Sequence, residues 1–309
     1  MIKAALLITF SLLCALVPAT SFAQGEQMRA ADFRVYDSSG KVASLDDVIG
    51  AMGGAEVVFI GETHNDAVGH RLELQLLQAA SARYGSGAPE APARRQVALS
   101  LEMFERDVQT TLDEYLGNLI LEKQLLSDSR PWNNYQTDYR PLIELARARN
   151  LPVIAANVPT RYANRVSRMG RTSLAMLSPQ AKTWIAPLPY GEASAAYAAK
   201  FSRAMEGMGG GHDGNVKQNF LDAQVLRDAT MAYSIAQALS LRPKALVLHV
   251  TGLFHVEGRM GIPEQLERYR PRTRTLVIAL IPEAQAPKPD AENLKKAGDF
   301  VIVTMVPQP

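Results

Sequence analysis

The stretch Glu56-Val-Val-Phe-Ile-Gly-Glu-Thr-His64 decides the fold class of this 309-residue chain. In it, an aliphatic and aromatic run is followed at once by a glycine and then by polar side chains. A strand that is apolar on both faces is typical of a parallel sheet covered by helices on both sides. The same pattern predicts strands in six places, at 56–60, 96–101, 152–156, 245–250, 275–280 and 300–305.

Amphipathic helical segments separate the predicted strands, most clearly at 69–84, 140–149 and 215–239. This alternation predicts an α/β fold with a mainly parallel, doubly wound sheet flanked by helices. A short hairpin followed by a helix is expected within 33–50, with Asp37-Ser-Ser-Gly40 as its turn.

Residues 24–309 are predicted to form a single α/β domain. Two connecting segments, 103–140 and 157–240, are too long to be simple crossovers and are polar, helical in pattern and rich in aromatic residues. We interpret them as a helical cap inserted over one edge of the sheet.

Residues 1–23 have the pattern of a secretory signal peptide. Lys3 precedes an apolar run over 4–17 that is too short to span a bilayer, and Ser21-Phe-Ala23 supplies small residues for cleavage. A lipoprotein site at Cys14, the only cysteine, is the alternative, but Leu13 before it is larger than such a site accepts. We therefore expect an exported, periplasmic protein whose mature chain has no disulfide.

The charges of the chain nearly cancel, with 33 basic and 31 acidic side chains. This balance gives no indication of a nucleic-acid partner. After the N-terminal run, no segment of the sequence is long and apolar enough to cross a bilayer.

Polar clusters come at the ends of four predicted strands. Glu62 and His64 follow the first strand, and Glu102 stands at the end of the second. Asn157 follows the third strand, and His255 follows the fourth. Ligands of a doubly wound sheet bind at the carboxyl ends of its strands. We therefore predict one cleft that contains Glu62, His64, Glu102 and His255.

Two imidazoles and two carboxylates in one cleft suit two kinds of chemistry. These four side chains are predicted either to hold a divalent metal ion or to serve as acid, base and electrophile in catalysis. Both histidines belong to Gly-x-x-His motifs, whose glycines, Gly61 and Gly252, let the backbone turn sharply away from the sheet. One such motif is weak, but two at strand ends indicate a functional cleft.

The other polar residues are given lesser roles. His70, on a helix, is expected at the surface or in packing, and His249, inside a strand, is expected to be buried and hydrogen-bonded. His212 lies in a glycine-rich loop that either covers the cleft or is solvated. Arg227 and Asp228 form a polar helix face, either in surface salt bridges or with Arg227 reaching an anion at the cleft.

Six motifs follow one another along the chain in a specific order. They are Phe59-Ile-Gly-Glu-Thr-His64, Leu101-Glu-Met103, Trp132-x-x-Tyr135-x-x-Asp138-Tyr-Arg140, Asn157-Val-Pro-x-Arg-Tyr162, Gln224-x-x-Arg227-Asp228 and Gly252-x-x-His255. Together, over roughly residues 31–281, the chain resembles the ChaN-like haem-binding uptake proteins of the Tiki superfamily.

The resemblance implies a haem-binding role and a set of candidate haem ligands. In this family haem is thought to bind at a dimer interface through a tyrosine. Tyr139, which precedes Arg140, and Tyr162, which follows Arg161, are candidates because a neighbouring cation favours tyrosinate. Tyr135 is a third candidate.

Other side chains offer alternatives to a tyrosine. Arg227 is expected to contact the haem as a cation, and His64, His212 or His255 can serve as ligand instead. The chain has no Cys-x-x-Cys-His motif, so the haem is expected to be non-covalent.

The leading interpretation is haem or iron binding outside the cytoplasm, in uptake or handling. The expected partners are haem or an iron ligand, a second copy of the chain, and a haem-uptake receptor or transporter. The alternative is a metal-dependent hydrolase, since metalloprotease relatives use paired Gly-x-x-His motifs and a glutamate that match His64, His255 and Glu102 here. A third interpretation is that the cleft works only as a docking surface.

Export generates a direct prediction. When the full chain is made in a Gram-negative host, N-terminal sequencing of the periplasmic product should begin at Gln24, the residue after the small-residue cleavage site. Recovery of intact Met1 from the cytoplasm, or of a lipidated Cys14, would contradict it.

Overall fold

The strands of the computed structural model lie in one central sheet. The structure describes residues 32–85, 95–207, 214–288 and 290–305. In these residues the strands are β1 (Phe33–Asp37), β2 (Val42–Ala43), β3 (Val57–Glu62), β4 (Val97–Glu105), β5 (Val153–Asn157), β6 (Leu246–Gly252), β7 (Thr275–Pro282) and β8 (Phe300–Thr304). Their spatial order is β2-β1-β8-β7-β3-β6-β4-β5.

Helices occupy most of the connections between strands. They are α1 (Leu45–Met52), α2 (Ala67–Tyr84), α3 (Gln109–Leu116), α4 (Glu122–Ser129), α5 (Arg140–Ala148), α6 (Thr160–Met169), α7 (Pro179–Lys182), α8 (Ala195–Gly207), α9 (Gly214–Leu241), α10 (Ile262–Tyr269) and α11 (Ala291–Ala297). A π-helical turn at Tyr135–Tyr139 leads into α5.

The sheet is mixed and mainly parallel. All six predicted strands are confirmed as β3 to β8, and every pair among them is parallel. The predicted hairpin is confirmed as β1 and β2, and β1 adds antiparallel to β8. Its turn is tight because Asp37 accepts hydrogen bonds from the backbone of Ser39 and Lys41. The hairpin therefore supplies the antiparallel edge of an otherwise parallel sheet.

Strand β4 is longer than predicted. It continues past Leu101 to Glu105, with a register shift between these residues where it pairs with β5. Such an irregularity re-aims the side chains that follow it. Glu102, predicted at the end of a strand, therefore lies inside β4.

Apolar helices cover both faces of the sheet. On one face Leu72 and Leu76 of α2 pack in the same core as Ile60. On the other face Met231 and Ile235 of α9 pack in the same core as Phe59. Neighbouring residues of a strand point to opposite faces, so two apolar residues in a row require cover on both sides. This double burial is what the apolar runs of the sequence predict.

The two long segments predicted as a helical cap also contribute to the flanking layers. Leu112 of α3 and Leu125 of α4 belong to the core on the α2 face. The second half of α9 covers the other face, whereas its first half packs with α6 in a separate core that includes Val166 and Leu226. One helix therefore joins the sheet to the smaller helical part.

The predicted signal peptide at 1–23, with Cys14, and His212 lie outside the described residues. In the part of the chain that the structure describes, no helix combines the length and the hydropathy needed to span a membrane.

The close packing of Gly61 in β3 generates a stability prediction. A Cβ there would lie 2.7 Å from Cγ2 of Val256 and 3.1 Å from Cα of Leu253. We expect Gly61→Ala to lower the free energy of unfolding by about 1–3 kcal/mol through overpacking, as measured by denaturant titration.

Gly50 in α1 is the matched control, because a Cβ there would meet no atom within 4 Å. Gly50→Ala should raise the free energy of unfolding by about 0.5–1 kcal/mol through helix propensity. If Gly61→Ala is as stable as the wild type, the described packing at the end of β3 is wrong.

Candidate functional site

The candidate site lies at the carboxyl edge of three adjacent strands. Glu62 ends β3 and pairs in register with Gly252, which ends β6. Strand β4, which carries Glu102, is the next neighbour of β6. The sheet order thus brings together two carboxylates that are 40 positions apart in the chain.

Gly252 is the point where the two Gly-x-x-His motifs meet. The Gly252 N–H and the Thr251 hydroxyl both donate to Oε2 of Glu102, over 2.8 and 2.6 Å. A Cβ on Gly252 would lie 2.9 Å from Cε1 of His64 and 3.7 Å from the same Glu102 oxygen. The glycine of the second motif therefore makes room for the histidine of the first.

His64 is the partly exposed imidazole of the site. Its side chain is 49% exposed, and its Nδ1 lies 2.8 Å from Oε1 of the buried Glu62. The Trp132 ring contacts it edge-on, with 4.6 Å between ring centroids. Burial would lower the pKa of His64, but the hydrogen bond to Glu62 and the charge of Glu102 raise it. In the described residues Nε2 of His64 has no hydrogen-bond partner, so it is the nitrogen available to a ligand.

Glu62 joins several groups beneath the cleft. Its Oε1 also accepts the Tyr139 hydroxyl over 2.5 Å, and its Oε2 lies 3.0 Å from Nδ1 of His70. Burial alone would raise the pKa of Glu62, but the imidazoles of His64 and His70 outweigh it and lower the pKa to about 2. Glu62 is thus an anion held inside the protein by its neighbours.

His70 was expected at the surface or in packing, and the structure buries it against carboxylates. Its Nδ1 lies 3.2 Å from Oε2 of Glu73, one helical turn along α2. Burial would lower the pKa of His70, but Glu62 and Glu73 raise it to about 11. The pattern of α2 could have located this pair, because His70 and Glu73 share the inward face with Leu77 at spacings of three and four.

His255 is buried and engaged through both ring nitrogens. Its Nδ1 lies 2.5 Å from Oδ1 of Asp228, and its Nε2 lies 3.4 Å from Oε1 of Glu102. One interpretation of the sequence placed Asp228 in a surface salt bridge. In the structure Asp228 is fully buried and also accepts a hydrogen bond from the Tyr197 hydroxyl. Burial would lower the pKa of His255, but Glu102 and Asp228 raise it to about 10.

The four predicted residues therefore form two carboxylate–histidine pairs. Glu62 holds His64, Glu102 holds His255, and His64 and Glu102 approach each other at Gly252.

Arg227 lies beside the neighbouring strand end. Its guanidinium donates to Oδ1 of Asn157, at the end of β5, over 3.5 Å.

The structure buries the three candidate tyrosines. The Tyr139 hydroxyl faces Glu62, and burial together with that charge raises its pKa, whereas Arg140 pairs with Glu122 instead. The buried Tyr135 hydroxyl has no hydrogen-bond partner in the described residues.

Tyr162 differs because the Arg161 guanidinium lies 4.6 Å from its ring centroid. The sequence predicts a cation beside both Tyr139 and Tyr162. The structure places one beside Tyr162, whereas the hydroxyl of Tyr139 faces the carboxylate of Glu62.

Two buried histidines, His249 in β6 and His255 in the turn after it, generate a pH prediction, because their pKa values are shifted in opposite directions. His249 is buried and hydrogen-bonded to Ser100 over 2.9 Å, as predicted, and burial lowers its pKa to about 3. The folded pKa of His255, about 10, is above its unfolded value of 6.5, so its contribution to stability is complete below pH 6.5 and is lost as the pH rises to about 10.

We expect the free energy of unfolding to fall less steeply between pH 6.5 and 10 in His255→Gln than in the wild type. His249→Gln is the control, because loss of its neutral imidazole alters the profile only below pH 6.5. Parallel profiles of wild type and His255→Gln above pH 6.5 would contradict the ion pairs assigned to His255.

One solved structure of a known protein agrees with this architecture. A solved structure that shows cofacial heme binding to ChaN of Campylobacter jejuni superposes with a TM-score of 0.68 at 17% identity, over 89% of this chain and 98% of that chain. A mutant of the erythromycin esterase EreC gives a TM-score of 0.42 at 11% identity, over 88% of this chain and 82% of that chain.

A curated relative extends the similarity to plants. Protein RETICULATA-RELATED 5, chloroplastic, of Arabidopsis thaliana is 27% identical over 264 residues, which cover 77% of this chain. The chain spans about a third of that relative's length.

The family model for "Haem-binding uptake, Tiki superfamily, ChaN" matches residues 48–266. The match contains both Gly-x-x-His motifs, Glu102 and the α2 segment. The chain therefore belongs to the ChaN family of haem-binding uptake proteins within the Tiki superfamily.

Proposed function

We propose that this protein binds haem non-covalently at the carboxyl edge of β3, β6 and β4, with Nε2 of His64 as the iron ligand. We further propose that the protein is exported and acts in haem or iron uptake and handling. Family membership supports the haem part of this proposal. The signal-peptide pattern of residues 1–23 supports the export part.

The observation that carries the ligand assignment is the environment of His64. Histidines that bind metals usually hold their second ring nitrogen on a carboxylate or carbonyl, which fixes the ring and its tautomer. Glu62 is such a partner for Nδ1 of His64, over 2.8 Å, while the His64 side chain stays half exposed. Histidine is a common axial ligand of haem iron. His64 therefore combines a fixed ring with a free Nε2 at the surface of the cleft.

The surroundings of His64 fit a large apolar ligand with acidic groups. Trp132 lies against the His64 ring, and Tyr139 packs behind Trp132 with 5.5 Å between ring centroids. In the described residues Arg227 has no carboxylate partner, so its guanidinium is available to a haem propionate.

Tyr162 is the strongest of the tyrosine alternatives, because Arg161 lies over its ring. Tyr139 and Tyr135 would first have to leave the core, where both are almost completely buried.

A homodimer follows as part of the proposal. Heme binding to ChaN of Campylobacter jejuni is cofacial, and we expect two haems to lie face to face here as well. The half-exposed position of His64 would leave one haem face open to a second copy of the chain. A haem-uptake receptor or transporter would then deliver or receive the ligand.

The hydrolase interpretation has weaker support. A metal held by two histidines needs a free nitrogen on each ring, and both nitrogens of His255 already face carboxylates. Family membership also favours haem over hydrolysis.

The proposal predicts which side chain controls hemin affinity. Titration of the mature chain with ferric hemin should give a saturable change in the Soret band. We expect His64→Gln to weaken hemin binding by roughly tenfold or more, equivalent to about 1.4 kcal/mol, because the iron loses its protein ligand.

Tyr139→Phe is the matched control, because it removes one buried hydroxyl from the Glu62 oxygen that holds His64 and leaves the imidazole in place. It should bind hemin like the wild type. Normal binding by His64→Gln together with a loss in Tyr162→Phe would transfer the ligand role to the tyrosine. If the wild type binds hemin no better than an unrelated protein does, haem binding itself is wrong.

A further inference from the structure

Below the cleft, three buried side chains converge where β3 meets α2. Nδ1 of His70 lies 3.0 Å from Oε2 of Glu62 and 3.2 Å from Oε2 of Glu73. One ligand atom from each residue lies within 4.8 Å of the other two. All three side chains are at most 3% exposed. The position is therefore shielded from water and lined by one nitrogen and two carboxylates.

The second nitrogen of His70 indicates which ring atom carries hydrogen. Nε2 lies 3.2 Å from the backbone oxygen of His64 and 3.5 Å from Oδ2 of Asp138. Both neighbours are acceptors, so Nε2 carries a proton. Nδ1 faces two carboxylate oxygens, so the position needs a positive charge, supplied either by a second proton on the ring or by a metal ion.

The carboxylate oxygens give a second, independent reason to expect a cation at this position. In the described residues Oε2 of Glu62 and Oε1 of Glu73 have no hydrogen-bond partner, although both atoms are buried. The Oε2 atom of Glu62 is near His70 without the geometry of a hydrogen bond. Buried unpaired carboxylate oxygens are costly unless a proton or a metal ion compensates them. Both oxygens belong to carboxylate groups that face Nδ1 of His70.

We propose that Glu62, His70 and Glu73 form a binding site for a divalent first-row transition metal ion. One imidazole nitrogen and two carboxylates suit ions such as Zn²⁺, Mn²⁺ or Fe²⁺. A charge of +2 also balances two buried carboxylates. The hydrogen bond from Nε2 of His70 to a backbone carbonyl is the usual outer support of such a ligand.

This site differs from the set predicted from the sequence. It shares Glu62 with that set but replaces His64, Glu102 and His255 by two residues of α2. It does not rest on haem binding, since neither His70 nor Glu73 is exposed in the cleft. Because Glu62 also holds Nδ1 of His64, the metal ion would stiffen the support of the cleft histidine.

Metal binding without hemin tests the proposal. The mature chain is stripped with a chelator, dialysed against Zn²⁺ or Mn²⁺, and analysed by mass spectrometry of its metal content and by competition with a chromophoric chelator. We expect one ion per chain. Glu73→Gln should lower the affinity by at least roughly 100-fold, because loss of a direct ligand exceeds the 10- to 100-fold cost of losing a group that only supports a ligand.

Glu102→Gln is the matched variant, because it makes the same change at the buried carboxylate that faces His255 in the cleft. It should retain the affinity of the wild type. If Glu102→Gln loses the ion while Glu73→Gln keeps it, the ligands are those of the cleft, and the proposal is wrong. If the wild type retains no ion from either metal, a proton on Nδ1 of His70 is the cation, and the proposal is equally wrong.

A measurement on the wild type covers the case in which Glu73→Gln does not fold. Co²⁺ bound at this position should shift the Nε2 proton of His70 far outside the normal proton NMR range and leave the ring protons of His255 less affected. The reverse order would overturn the assignment. Hemin titration of the same samples separates failure of the metal site from failure of the haem proposal.

Discussion

The buried carboxylate of Glu62 is the constraint on which the rest of the site depends. It ends the central strand β3 with almost no exposure to solvent, and the imidazoles of His64 and His70 keep it ionised. The same group orients His64 towards the cleft, receives the Tyr139 hydroxyl and faces His70 beneath. Loss of this charge would remove the common partner of three side chains from three different elements.

A second carboxylate–histidine pair gives the cleft its other wall. Glu102 accepts a hydrogen bond from the backbone N–H of Gly252 and faces His255. Asp228 of α9 pairs with the other ring nitrogen of His255. A helix of the smaller helical part is thereby tied to the sheet edge by buried charge as well as by apolar packing. The parallel register of β3 and β6 places this pair next to the first one.

Much of the fold could be predicted from the sequence, because runs of apolar residues such as those in β3 and β6 report burial on both faces. The convergence of Glu62, His64, Glu102 and His255 followed from the rule that parallel strands end at one edge. What could not be predicted depends on contacts between distant elements. His70 and Asp228 look like polar helix residues until the sheet is placed against them. The partner of the Tyr139 hydroxyl is a carboxylate 77 positions earlier in the chain.

The proposed function requires that this edge of the sheet presents His64 to the iron of haem. A crystal structure of the hemin complex, with the iron located by its anomalous scattering, tests it most directly. We expect iron bonded to Nε2 of His64, with Nδ1 of the same ring still on Glu62. Iron bonded to the oxygen of Tyr162, or located away from the carboxyl edge of β3, β6 and β4, would contradict it.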